Sequence, residues 1–204
     1  MTDMDDAIAA IRSGSVVAVP TDTVYGVVCD PANAAAVERI YNLKRRPESL
    51  ELTLLCSGAG DLEDDVELTP GARLLAATYW PGPLSIVMRV RRNRWAIPRT
   101  GASLSCRAPD HALLLELLRR TGPLASTSAN RHGQPPAVSA MEARVAFGAD
   151  VDTVLDGGTA SGRPSTIIDC TTTPPRVLRD GPITNGELLS RLGAGHPTEG
   201  QPQG

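Results

Sequence analysis

The sequence predicts an α/β (α+β) domain, a twisted mixed β-sheet with helices packed around it. Three observations point there. Stretches of helical apolar period alternate with short apolar runs of strand length. Several neighbouring strand runs, such as 84–90 and 103–107, have no helix between them, which argues against a purely parallel doubly wound sheet. The 204 residues are 41 % apolar and 21 % charged, which suits one domain with a single sizeable core.

The elements follow in order. Residues 4–12 have helical spacing, and Gly14 is placed to close that helix. Residues 15–19 read as a strand. Asn33 caps a helix to Lys44, with Ala36, Val37, Ile40, Tyr41 and Leu43 on its inner side. A short strand spans 52–56. Thr69-Pro70 supplies a cap and a first helical residue for a helix through Trp80, and "PGP" at 81–83 stops it. Strands follow at 84–90 and 103–107. "PDHALLLELLRRTG" is an amphipathic helix closed by Gly122. A strand covers 124–127, and Ser139 caps a helix to Phe147. Strands at 152–155, 165–170 and 176–178 precede a last helix at 183–192. One domain is expected over 1–193, with 194–204, rich in Gly, Pro and Gln, as a flexible tail.

The totals exclude some classes. No apolar run approaches the roughly 20 residues of a membrane span. The start, "MTDMDD", is acidic where a signal peptide begins basic, so a cytoplasmic protein is expected. Net charge is −3, which does not advertise a nucleic-acid binder. A local exception, "RVRRNRW" at 89–95, reads as a solvated hairpin tip or as an edge for weak contact with tRNA or other RNA. Four scattered cysteines read as buried structural thiols, and no ligand spacing supports a metal site.

The stretch "VAVPTDTVYGVV", 17–28, interrupts a buried apolar run with three side-chain oxygens. Such polar groups recur where strands end: Thr21, Asp22 and Thr23, then "STSAN" at 126–130, then "GRPST" at 162–166. Ligands of α/β folds sit at sheet ends. Hydroxyls and backbone N–H groups there can hold phosphate or carboxylate oxygens. Cations accompany them. Lys44 and Arg46 lie at a helix C-terminus, where the helix dipole alone favours them by about 0.3–1 kcal/mol. Arg107 and Arg179 end apolar strands, where a charge needs an anionic partner. Together Lys44, Arg46, Arg107 and Arg179 make a candidate anion cradle fit for a nucleotide triphosphate. No P-loop, dinucleotide fingerprint or nucleophile elbow is present, so positioning and charge neutralisation are the expected chemistry.

In "PTDTVYG", "KRRP", "WPGPL", "CRAPDH", "STSAN" and "RDG" the chain resembles the threonylcarbamoyl-AMP synthase family, the YrdC-like proteins, in single-domain form. The match in order and spacing runs from about Val16 to Ile183. The resemblance implies a sheet enclosing a large, positively lined cavity. It implies synthesis of L-threonylcarbamoyl-AMP from L-threonine, bicarbonate and ATP with release of pyrophosphate. A threonylcarbamoyl transferase would then modify the tRNA adenosine next to the anticodon. Mg2+ accompanies the ATP, with no tightly bound cofactor and no protein side chain identified as a metal ligand.

By position, Lys44 and Arg46 match the family's phosphate-facing K-x-R and are the catalytic candidates. Arg46, Ser103, Ser128, Asn130 and Arg179 fall to ATP. Thr23, Tyr25, Arg107, Ser126 and Ser165 fall to threonine. Loss of Lys44 or Arg46 is expected to depress turnover more than stability, because both side chains read as exposed. The chain departs from the family in "ESLEL", which puts Leu50 and Glu51 where a Pro-Leu pair is usual. It has Leu55 where a polar or histidine side chain is common, and Arg131-His132 where small polar residues are usual. Two alternatives stand beside this reading: a YrdC-like RNA- or nucleotide-binding module without turnover, and a paralogue handling another carbamoyl-adenylate.

Overall fold

A computed structural model describes residues 3–45, 51–99 and 101–193. The elements run α1 (Asp3–Arg12), β1 (Val17–Val19), β2 (Gly26–Cys29), α2 (Ala34–Lys44), β3 (Thr53–Leu55), α3 (Pro70–Tyr79), β4 (Leu84–Arg89), β5 (Ser103–Arg107), α4 (Ala112–Thr121), β6 (Leu124–Ser128), α5 (Ala140–Phe147), β7 (Thr153–Val154), β8 (Thr166–Asp169), β9 (Arg176–Arg179) and α6 (Asn185–Arg191). Two short 3-10 turns, Ala59–Leu62 and Gly148–Asp150, were not anticipated. The proposed tail and Arg46 lie outside the described residues.

The caps explain where the helices begin and end. Gly14 takes φ 85°, and the N–H groups of Gly14 and Ser15 close onto Ile11 and Ala10 carbonyls, a Schellman ending to α1. The side chains of Asn33, Thr69 and Ser139 each accept an N–H three residues on, as their sequence positions predict. Thr184 and Glu187 form a reciprocal capping box on α6. Helix α4 starts at Ala112, later than the sequence suggests. His111 is extended at φ −143°, and its side chain makes no cap bond.

Among the described residues nine strands form one sheet in the order β7-β1-β2-β6-β3-β5-β4-β8-β9. The β1–β7, β3–β5 and β4–β8 pairs are parallel and the others antiparallel, so the sheet is mixed as expected. Side chains alternate between its faces. One face carries Val27, Leu54, Ile86, Leu104 and Cys106 and is covered by α2, α3 and α5. The other carries Val17, Val28, Leu55 and Leu124 at one end, where α1 and α4 pack. Beyond those two helices the same face changes character. The registers put Ser126 beside Thr53, Thr53 beside Ser105, and Ile167 beside both Ser85 and Arg179. The face left open by α1 and α4 is therefore hydroxyl-rich.

The four cysteines are free and buried. Burial pushes the Cys29 and Cys170 thiols up to about 12, and raises Cys56 and Cys106 as well. The folded state thus holds the neutral thiols, while an unfolded thiol ionises near pH ~8.5. Their contribution is complete below that value and is lost as pH rises toward the folded values, by about 1.4 kcal/mol per thiol per pH unit. Urea unfolding should therefore show lower stability at pH 9.5 than at pH 8. Equal stabilities at the two pH values would contradict the burial argument.

Candidate functional site

Arg107 organises the site. It ends β5 and is only 5 % exposed, so its charge needs partners inside the protein. Its Nε donates to Gly82 O at 2.9 Å, Nη1 to Thr23 Oγ1 at 2.9 Å, and Nη2 to Asp22 Oδ1 at 2.5 Å. Burial lowers the Arg107 pKa, the Asp22 carboxylate opposes that shift, and the nearby Arg179 charge adds to it. The guanidinium remains charged, because its ordinary value lies far above neutral.

The segment 20–24 is shaped to meet it. Thr21 Oγ1 donates to Val24 O at 2.6 Å and accepts from the N–H groups of Thr23 and Val24. The two threonine hydroxyls lie 2.9 Å apart. Thr23 Oγ1 accepts from Arg107 and stands at the wall of the hollow. The polar interruption of the 17–28 run is therefore a counter-charge and a hydroxyl pair for Arg107.

Tyr25 is fully buried, and its hydroxyl donates to Gly158 O at 2.8 Å while accepting from Gly157 N at 3.1 Å. Gly157 permits this approach, since a Cβ there would lie 2.5 Å from Pro20 Cγ and 2.6 Å from His111 Cε1. Tyr25 borders the site, its ring packs in the apolar core, and its hydroxyl anchors the 157–158 loop.

These groups open on a hollow of about 320 Å³ on the uncovered sheet face. Thr23, Tyr25, Arg107 and Ser126 line it together with Ser128, Ser165 and Arg179. Arg179 donates from Nε to Ser165 O and from Nη2 to Ser165 Oγ, both at 3.0 Å. Ser165 Oγ lies 3.0 Å from Ser85 Oγ, joining β4 to the stretch before β8. Burial beneath the rim lowers the Arg179 pKa, although the side chain as a whole reaches solvent. Seven of the residues singled out from sequence thus converge on one hollow.

Others do not line it. Ser103 shares the face of Ser105 and Arg107, but four residues of strand place it about 13 Å from Arg107. Asn130 lies beyond the rim. Its Oδ1 accepts from Ser128 Oγ and Lys44 Nζ, and its Nδ2 donates to Arg131 O and Gln134 O. The expected exposure of Lys44 is corrected: it is 3 % exposed. Its ammonium donates to Ser128 O at 2.6 Å and to Asn130 O and Oδ1 at 2.8 Å each. The backbone carbonyls of the loop after β6 draw the charge inward. Glu51, Thr53 and Ser85 also line the hollow and were not singled out as site residues. The signal for Thr53 and Ser85 was a hydroxyl inside an otherwise apolar strand. The cationic stretch 89–95 is partly neutralised, with Arg94 2.6 Å from Asp65 and Arg92 3.9 Å from Asp64.

Hydroxyls and two guanidiniums around one recess on a sheet face define an α/β protein built to hold a small anionic ligand. Comparison with known proteins narrows that class. A family model covering Sua5, YciO and YrdC, described as telomere recombination, matches residues 9–181. A threonylcarbamoyl-AMP synthase of Chromohalobacter salexigens is 40 % identical over 179 residues, covering 80 % of this chain and 90 % of that protein. One from Klebsiella pneumoniae is 39 % identical over 173 residues, covering 81 % and 90 %. A crystal structure of P. abyssi Sua5 complexed with L-threonine superposes with TM-score 0.89 at 32 % identity. It covers 95 % of this chain, which spans 59 % of that longer one. E. coli YciO superposes with TM-score 0.81 at 26 % identity, covering 91 % of this chain and 92 % of that one. The chain belongs to the Sua5/YciO/YrdC family.

Tyr25→Phe removes both bonds to the 157–158 loop while keeping the ring. It should destabilise the protein by about 1–3 kcal/mol, because the Gly157 N–H and Gly158 carbonyl lose a partner. Urea denaturation at pH 7 measures this, and an unchanged midpoint would show that solvent satisfies the loop instead.

Proposed function

We propose that this protein is an L-threonylcarbamoyl-AMP synthase, a nucleotidyltransferase that joins L-threonine, bicarbonate and ATP and releases pyrophosphate. Its product would serve threonylcarbamoylation of the tRNA adenosine next to the anticodon, through a transferase partner in the cytoplasm. The observation that carries the reading is the convergence of Arg107 and Arg179 with Thr23, Ser126 and Ser165 on one hollow. The names of the relatives, and the threonine bound in the related Sua5, support the same reading.

The chemistry follows from the charges. The threonine carboxylate pairs with Arg107, which Asp22 and Thr23 hold in place. The Thr23 hydroxyl meets the substrate's amine or hydroxyl. Once deprotonated, the amine adds to bicarbonate, giving the carbamate and one water. A carbamate oxygen then attacks the α-phosphorus of ATP, and pyrophosphate leaves. Burial on the open sheet face lowers the local dielectric and strengthens each of these contacts. Ser128 and Arg179 are assigned to the nucleotide. Lys44 adds positive charge behind that end while holding the Ser128–Asn130 loop in shape.

Magnesium would arrive with the ATP. Among the described residues no cluster of three His, Cys, Asp or Glu offers a ready cage. Phosphate oxygens and water would therefore be its main ligands, and the ion would neutralise charge on the departing pyrophosphate.

Pyrophosphate release should require threonine, bicarbonate and ATP together. Release that persists without threonine would overturn the substrate assignment. Arg107→Lys keeps a charge but loses the three-pronged geometry. It should raise the KM for threonine about 10- to 100-fold, the equivalent of one charged hydrogen bond. An unchanged threonine KM would remove Arg107 from the amino-acid site.

A further inference from the structure

The end of α2 is completed by a loop distant in sequence. A helix leaves its last four carbonyls without partners inside the helix. In α2 these belong to Tyr41, Asn42, Leu43 and Lys44. Arg45 takes a left-handed conformation at φ 51°, and its N–H reaches the carbonyls of Tyr41 and Asn42. The other two are answered by neighbouring residues of the 131–132 pair. Arg131 Nη1 donates to Leu43 O at 3.2 Å, and His132 N donates to Lys44 O at 2.9 Å. The Lys44 side chain returns the contact, with its ammonium on the carbonyls of Ser128 and Asn130. The helix end and the loop after β6 therefore clasp each other from both sides.

Arg131 adds a third attachment. Its Nη2 lies 3.1 Å from the Asp150 carboxylate, on the 3-10 turn that follows α5. One half-buried guanidinium thus joins the end of α2, the 128–134 loop and the turn after α5. The pieces it joins include Ser128 on the hollow, Asn130 beyond its rim, and Arg45 at the end of α2.

We infer that Arg131 is a positioning residue for the phosphate end of the site. It sets the distance between the loop carrying Ser128 and Asn130 and the end of α2 at Lys44. The inference rests on the reading that these two segments meet a nucleotide. It concerns nucleotide affinity only, since the Arg107 pocket is built from other loops and does not touch Arg131.

The test uses the full chain with magnesium and a non-hydrolysable ATP analogue, and measures affinity for the analogue and for L-threonine separately by calorimetry. Arg131→Met should weaken the analogue about tenfold, the equivalent of one lost charge-assisted contact, with threonine affinity within about twofold of wild type. Arg131→Lys should recover part of the loss, because an ammonium can still reach Leu43 O or Asp150. Arg73→Met is the control. It removes a surface cation of α3, one paired with Glu63 at 2.8 Å, and should leave both affinities unchanged. An Arg131→Met protein that binds the analogue as wild type does overturns the inference. Equal weakening of analogue and threonine also overturns it, by showing general loosening of the fold. A wild-type protein that binds threonine but no analogue overturns the nucleotide reading together with the inference built on it.

Discussion

The site is organised around the cost of burying one guanidinium. An unpaired charge at the end of β5 would lose several kcal/mol of solvation. Three groups remove that cost: the Asp22 carboxylate, the Thr23 hydroxyl and the Gly82 carbonyl. They come from two loops that lie far apart in sequence. Satisfying Arg107 therefore fixes the loop after β1 and the turn before β4 against the end of β5. Much of the hollow's wall is a by-product of that requirement. The guanidinium still keeps N–H capacity beyond its three partners, since it carries five donors.

A similar economy holds at the other end of the hollow. Lys44 is buried, and its partners include two carbonyl oxygens and an amide oxygen. These bonds hold the loop after β6 in one shape, and a fixed loop is what electrostatic preorganisation requires. Arg107 is held by a carboxylate, a hydroxyl and a carbonyl, and Lys44 ties the end of α2 to the carbonyls of the loop after β6.

Much of this was legible in the sequence, for definable reasons. Cap residues such as Asn33, Thr69 and Ser139 act locally, so their helices could be placed from a few neighbouring letters. The mixed sheet followed from strands with no helix between them. Ser126, Ser128, Ser165 and Arg179 were found because polar groups at the ends of apolar strands are conspicuous. Lys44 was misjudged because helix-end lysines usually reach solvent, and its carbonyl partners lie more than 80 residues away. Long-range partners of that kind leave no local trace. Thr53 and Ser85 were passed over as isolated hydroxyls. They join a polar surface only once the strands are laid side by side. The roles of individual residues came from resemblance to a family, since spacing alone reached no further than an anion cradle.

The sheet face shared by the hollow and by α1 and α4 ties recognition to assembly. Thr53 and Ser126 point into the recess, while their neighbours Leu54 and Ala125 point into the apolar interior. Shifting a central strand by a single position would exchange the two sets. Hydroxyls would be pressed into the hydrocarbon layer, and leucine would floor the recess. Such a mispaired chain would expose its apolar side chains and be recognised as unfolded before it could act as a defective protein. The same alternation that lets this chain fold also checks its pocket, so molecules that pass into the native state arrive with the recess correctly tiled.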